Sequence, residues 1–243
     1  MLERIVDAIK PVPGDAVLEI GPGPGVLTAE LIARAGRVQA IEIDRDLAAD
    51  LCRRFPSESL DLTEGDALEF DYRSVAMGTR VVGNLPYNIS TPLLFRLSAA
   101  GERFRDLHFM LQKEVVARMA AAPSTPDYGR LSVMVQHHFH VKRLFDVAPG
   151  SFRPPPKVYS SVVRLVPRAE EQTVDEDRLR RVVTAAFSHR RKTVANALAG
   201  LFDAAALLAL GVDPRLRPEN LGLDEYRRLA AALPLGTTAP SGD

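Results

Sequence analysis

Cysteine is nearly missing from this chain: Cys52 is the single thiol among 243 residues. One thiol closes no disulfide within a chain and builds no cysteine-based metal centre, so a reducing, cytoplasmic setting is expected. No apolar run approaches the roughly 18 residues that a membrane span needs. Met1-Leu2-Glu3-Arg4 lacks the basic-then-apolar order of a secretion signal. Internal repeats and low-complexity tracts are absent. Net charge is absent too, with 31 basic and 31 acidic side chains. What remains, 46% hydrophobic and 26% charged residues, describes a soluble globular protein with length for one large domain and one small one.

The zero net charge conceals an asymmetry. Residues 1–80 carry 9 basic and 15 acidic side chains, whereas residues 140–195 carry 12 and 6. A basic zone beside an acidic one suits a polyanion on one surface and a different ligand on another, although two ordinary solvated surfaces would look the same.

Apolar runs alternate with amphipathic stretches. The pattern predicts helices over Leu2–Lys10, Gly25–Ala35, Asp46–Phe55, Thr91–Ser98, Glu114–Ala121 and Tyr128–Gln136. It predicts strands over Ala16–Ile20, Arg37–Ile43, Leu60–Glu64, Arg80–Gly83, Arg105–Leu111, His138–Val147 and Val158–Val166. Such alternation implies an α/β domain with a mostly parallel central sheet and ligands at the carboxyl ends of its strands. Polar Arg168–Asp177 reads as a linker. Helices alone follow, over Glu176–Ser188, Thr193–Leu201, Ala204–Leu210 and Asp224–Ala232. The expected domains are therefore 1–168 and an all-helical 169–243.

Glu19-Ile20-Gly21-Pro22-Gly23-Pro24-Gly25 joins the first strand to a helix. Glycines there let a ligand approach the backbone, and the helix start supplies free N–H donors. The GxGxG spacing differs from the GxGxxG of dinucleotide sites, and the turn alone is weak evidence. Glu42 ends the second strand, where a carboxylate can accept from a ribose diol. Asp66 follows the third and can accept from an adenine amine; Asn84 follows the fourth. Each could instead be a cap or turn residue. Together Glu19, Gly21, Gly23, Gly25, Glu42, Asp66 and Asn84 suit a nucleoside site in one crevice.

Val81-Val82-Gly83-Asn84-Leu85-Pro86-Tyr87 ends a buried strand on a polar residue, a proline and an aromatic. The Asn84 side-chain carbonyl and the Leu85 backbone carbonyl can accept both hydrogens of an exocyclic adenine amine, freeing its lone pair. Pro86 fixes the turn and Tyr87 can stack on the base. This stretch resembles the N6-adenine methyltransferases, and Asn-Leu-Pro-Tyr is closer to their ribosomal RNA members than to the DNA enzymes. Phe109-Met110-Leu111-Gln112-Lys113-Glu114-Val115, Tyr128-Gly129-Arg130-Leu131-Ser132-Val133 and Phe152-Arg153-Pro154-Pro155-Pro156-Lys157-Val158-Tyr159-Ser160 extend the likeness. With the tail containing Arg190-Arg191-Lys192-Thr193, nearly the whole chain is similar to the bacterial small-subunit ribosomal RNA adenine dimethyltransferases.

The resemblance implies a Rossmann-like methyltransferase domain using S-adenosylmethionine. It implies cofactor contacts at Gly21, Glu42, Asp66 and Asn84, and target-base contacts at Asn84, Leu85, Tyr87 and Phe152. It implies dimethylation of two adjacent adenines in a hairpin loop near the 3′ end of small-subunit RNA, late in subunit assembly. The small ribosomal subunit and its RNA are the expected partners, with no membrane, no metal and a monomeric chain. Arg190, Arg191 and Lys192 are expected to meet RNA phosphates, although a solvated helix end would look alike. Family members open with a basic segment containing a Gln-Asn-Phe-Leu-like motif; this chain starts just before the first helix, so a looser grip on the cofactor is expected.

Three alternatives stay open. One is a large-subunit RNA adenine dimethyltransferase. Another is a non-catalytic RNA-binding assembly factor that keeps the fold. The third is an NAD-dependent dehydrogenase, which the GxGxG spacing disfavours. His138 and His140 are expected on one strand face, but no acid or cysteine completes a metal set with them and His137.

Overall fold

The computed structural model describes residues 1–86, 89–151, 158–168, 174–189 and 191–233. Expected Tyr87, Phe152 and Arg190 lie outside the described residues. The chain divides into two compact units, Met1–Ala120 with His138–Ala169, and Ala121–His137 with Glu170–Asp243.

In the first unit the elements run α1 Leu2–Ile9, β1 Val17–Ile20, α2 Val26–Ala35, β2 Val38–Glu42, α3 Arg45–Arg54, β3 Leu60–Glu64, β4 Thr79–Asn84, α4 Ser90–Ser98, β5 Phe104–Gln112 and α5 Lys113–Met119. After α6, Arg130–His138, come β6 Phe139–Val147 and β7 Ser160–Pro167. The seven strands form one sheet in the order β3-β2-β1-β4-β5-β7-β6. β1 to β5 are parallel; β7 runs antiparallel to β5, and β6 antiparallel to β7. The strand order reverses at β1, whose carboxyl end, with that of β4 beside it, is where an open α/β sheet forms its crevice.

The central strands are apolar because both their faces are covered. Val17, Val38, Ala40 and Val82 pack with Ile9, Leu31, Ala35, Leu51 and Leu60 in one buried cluster. Local signals set the helix ends. Asp44 Oδ1 accepts the Asp46 and Leu47 N–H groups at 2.9 and 3.1 Å, opening α3. Gly36, at φ 91°, closes α2 as expected from its place after the last helical residue.

The second unit holds α7 Glu176–Ser188, α8 Val194–Ala197, α9 Ala204–Ala209 and α10 Leu223–Ala232. The Phe187 ring packs against Tyr128 at 6.3 Å and stacks on Tyr226 at 5.8 Å, and the Tyr226 hydroxyl donates to the Pro218 carbonyl at 2.7 Å. Residues 121–137 cluster with this helical unit, although the sequence reading puts them in the first domain. Buried Tyr128 is one physical reason, since its ring partner lies on α7.

Two expected elements differ from the structure. His138 ends α6 instead of starting a strand, so it and exposed His140 do not share a strand face. The helix expected over Thr193–Leu201 is only the four residues of α8; Leu201 then donates to the Leu198 carbonyl at 2.8 Å in a tight turn beside Gly200.

Candidate active site

The site grows from the carboxyl ends of β1, β2, β3 and β4. Leaving β1, the chain turns through Gly21, Gly23 and Gly25, all in the left-handed region at φ 66°, 55° and 75°. Gly25 is doubly required: besides its φ, a Cβ there would lie 2.6 Å from Leu51 Cδ2. Gly83, near the end of β4, lies opposite Ile20 of β1, and a Cβ on it would meet the Ile20 carbonyl oxygen at 2.6 Å. That close backbone approach brings the glycine turn and Asn84 to the same edge.

Glu42 is buried, and both its carboxylate oxygens are engaged. Oε2 accepts the Gly23 N–H at 2.9 Å and Oε1 the Asp44 N–H at 3.0 Å. The expected ribose acceptor is therefore also the strut that fixes the glycine turn against β2. Each oxygen retains a further acceptor site, because a carboxylate offers about four in all. Asp66 is exposed; its Oδ1 accepts the Leu68 N–H at 2.8 Å, and Oδ2 takes no hydrogen bond among the described residues. The turn reading and the ligand reading of Asp66 thus coexist, one on each oxygen.

Asn84 closes β4 with its side chain exposed and without a hydrogen bond among the described residues. Leu85 buries its side chain and donates its N–H to the Met110 carbonyl at 3.2 Å. Its own carbonyl accepts nothing among the described residues. Pro86 is exposed and accepts the Ile89 N–H at 3.3 Å, turning the chain into α4. Two carbonyls on consecutive residues are thereby left ready to accept.

Glu19 is the most perturbed acid here. It is 2% exposed, and its Oε2 has no hydrogen-bond partner. Burial pushes its pKa up to about 7, the neighbouring Thr28 hydroxyl opposing the shift and the nearby Glu42 carboxylate adding to it. Thr28 Oγ1 is itself buried with no satisfied hydrogen bond. Polar groups this deep are normally paired, so Glu19 Oε2 and the neighbouring Thr28 hydroxyl, neither with a well-formed hydrogen bond among the described residues, single out this part of the site.

Sequence reasoning missed Thr28, Val26 and Ile43. The sequence pattern puts Ile43 last in a strand; β2 stops at Glu42 and leaves Ile43 67% exposed. Val26, first residue of α2, is 59% exposed. The available signal was a bulky apolar side chain directly after a strand-end acid or a glycine turn, where solvent alone would favour a polar one.

In the second unit, Arg191 and Lys192 are exposed in the turn after α7, with the Lys192 N–H on the His189 carbonyl at 2.8 Å. Among the described residues no three His, Cys, Asp or Glu side chains are grouped as a metal would need. His137 is buried on α6 and accepts from Arg227 Nε at 3.3 Å.

This geometry agrees with what the chain is similar to. The profile of the ribosomal RNA adenine dimethylase family matches residues 1–233. The ribosomal RNA small subunit methyltransferase A of Aromatoleum aromaticum is 56% identical over 228 residues, covering 93% of this chain and 86% of that one. The protein of the same name from Thiobacillus denitrificans is 53% identical over 235 residues, covering 96% and 92%. Among solved structures, a dimethyladenosine transferase from Plasmodium falciparum superposes with a TM-score of 0.81 at 30% identity, over 94% of this chain and 93% of that one. The 23S rRNA methyltransferase ErmE superposes with a TM-score of 0.73 at 27% identity, over 96% of both. The glycine turn after β1, the acid ending β2 and the Asn84-Leu85-Pro86 terminus of β4 are thus set in the fold of a methyltransferase, and the chain belongs to the ribosomal RNA adenine dimethylase family.

Proposed function

We propose that this chain transfers methyl groups from S-adenosylmethionine to the N6 amines of two adjacent adenines in a 3′-terminal hairpin loop of small-subunit ribosomal RNA, dimethylating each during late subunit assembly. The observation that carries the reading is the pair of acceptors at the end of β4, the Asn84 side chain and the Leu85 carbonyl, which no described residue engages. Adenine's exocyclic lone pair is delocalised into the ring. Acceptors on both amine hydrogens draw it back to nitrogen and aim it, and because the protein holds them in place beforehand, nothing has to reorganise during reaction. No strong base is needed, since the nitrogen becomes acidic once it carries the extra methyl. Tyr87 and Phe152 belong to this reading as stacking partners of the base.

S-adenosylmethionine fits the residues present. The glycine turn admits a ligand to the backbone, and the start of α2, which has no side-chain cap, offers N–H donors to a carboxylate. The remaining acceptor sites on Glu42 suit a ribose diol, Asp66 Oδ2 an adenine amine, and exposed Ile43 a flat ring. Glu19, once ionised, is a buried anion suited to a cationic ligand. When bound, the cofactor supplies an activated methyl and its own leaving group.

Exposed Arg191 and Lys192, with Arg190, are assigned to RNA phosphates. A cytoplasmic, monomeric enzyme completes the reading; no helix among the described residues is long and apolar enough to cross a membrane. Large-subunit RNA is the second candidate substrate, given the likeness to ErmE. The 56% and 53% identical relatives, both named for the small subunit, support the first against the 27% of ErmE.

The test is transfer of a radiolabelled methyl group to small subunits from an unmethylated strain, followed by nucleoside analysis. Label in N6,N6-dimethyladenosine of the small-subunit RNA is expected. Label entering only naked large-subunit RNA, or no RNA at all, would overturn the proposal.

A further inference from the structure

Three strands meet in a second polar cluster on the same edge of the sheet, outside the site just described. Ser160 at the start of β7 lies opposite both Gln112, the end of β5, and Val147, the end of β6. Asp146 is the hub. It accepts from Arg143 Nε at 3.0 Å and from Arg143 Nη2 at 2.5 and 2.6 Å, from Ser161 Oγ at 2.6 Å, and pairs with Lys113 Nζ at 3.0 Å. These donors hold its carboxyl well below the usual carboxylate range, the Arg143 and Ser161 hydrogen bonds foremost. Lys113 also sits over the Tyr159 ring, 5.7 Å from its centroid, and donates its backbone N–H to the Tyr159 carbonyl at 3.0 Å.

A clamp closing the corner of the sheet would need one cation for one carboxylate. Two cations face Asp146, leaving a positive charge in surplus. Donors are also in surplus: Arg143 Nη1 makes no bond to Asp146, and an ammonium carries three hydrogens. The Tyr159 side chain is 54% exposed, with Lys113 at 49% and Arg143 at 39%. The Tyr159 hydroxyl takes no hydrogen bond among the described residues. A flat ring held open beside two fixed cations matches a single nucleic-acid strand, which presents a base and an anion at every step.

We propose that Tyr159, Lys113 and Arg143 form a platform for the RNA strand flanking the target adenine, Tyr159 stacking on a neighbouring base while the cations meet its phosphates. This rests on the RNA-methylating reading above. The position suits it. β4 and β7 are separated by β5 alone, so the platform lies about 10 Å along the edge from Asn84 at ordinary strand spacing. That is within reach of the nucleotides next to an adenine seated at Asn84.

The test compares wild type with Tyr159→Ala, Tyr159→Phe and Arg143→Gln, using unmethylated small subunits as the RNA probe. KM for RNA, kcat, S-adenosylhomocysteine affinity by calorimetry and thermal midpoint are measured for each. Tyr159→Ala should raise KM about 5- to 30-fold, and Tyr159→Phe should stay within about twofold of wild type. kcat, cofactor affinity and midpoint should not move. Arg143→Gln should lower the log–log salt slope of RNA binding by about 0.7. A wild-type KM in Tyr159→Ala, or a KM change accompanied by lost stability, would overturn the platform while leaving the RNA reading intact. A wild-type chain that methylates no RNA would overturn both.

Discussion

The amino and carboxyl ends of β1 and β4 treat charge in opposite ways. At the amino edge, Arg80 is 5% exposed and every charge around it is paired. Its Nε meets Asp15 at 2.9 Å, and its Nη1 meets Asp106 at 3.0 Å and the Ile9 carbonyl at 2.8 Å. Arg164 takes the other Asp106 oxygen at 3.0 Å. Nearby His108 is kept neutral, burial pushing its pKa down to about 4. At the carboxyl edge, among the described residues, buried Glu19 Oε2 and Thr28 Oγ1 have no well-formed hydrogen bond and exposed Asn84 has none on its side chain. At these strand ends the amino cluster carries its own counter-charges, whereas the carboxyl cluster holds acceptors that no described residue engages.

The comparison can be pressed hardest at Arg80. Arg80→Ala leaves buried Asp106 and half-buried Asp15 each short of a cation, which should cost about 3–5 kcal/mol in denaturant unfolding. Turnover per folded molecule should survive. A loss under about 1 kcal/mol would mean the amino edge is not what holds β4 and β5 in place.

Asn84→Ala should do the reverse. Turnover should fall about 10²–10³-fold, as expected for losing a preorganised acceptor. Stability should stay within about 0.5 kcal/mol, since the side chain is exposed and makes no hydrogen bond among the described residues. Turnover close to wild type would remove Asn84 from the chemistry.

A smaller effect sharpens the contrast through pH. Folded Glu19 titrates at about 7, against an ordinary value of 4.5, so between these values the folded protein holds a proton that the unfolded chain has lost. The stability it confers is complete below pH 4.5 and declines as pH rises to 7, by up to about 3 kcal/mol. Glu19→Gln should flatten that part of the ligand-free stability curve. An identical curve in the variant would place the titration elsewhere.

Much of this was legible in the sequence because apolar runs and caps are local. Leu60–Glu64 and Glu176–Ser188 match their expected bounds, the latter because Asp175 accepts the Arg178 N–H at 2.9 Å and starts the helix there. Glu19, Glu42 and Asn84 could be placed at strand ends because each follows an apolar run, and Asp66 because it follows the alternating Leu60–Glu64. What Glu42 grips could not be read, because Gly23 lies 19 residues away. The Asp146 hub was hidden for a different reason. Arg143 and Asp146 would face opposite sides of a regular strand, but β6 shifts register between Arg143 and Phe145 and brings them together. The boundary between Gln136 and Phe139 failed because His137 and His138 carry no glycine, proline or cap signal and suit helix and strand equally.

The most direct measurement is amide hydrogen exchange with and without S-adenosylhomocysteine. Protection should rise over Gly21–Thr28, Glu42–Asp44, Gly65–Leu68 and Asn84–Leu85, while Asp15, Arg80 and Asp106 stay as they were. Protection confined to the paired amino edge, or unchanged along all four strand ends, would contradict the account.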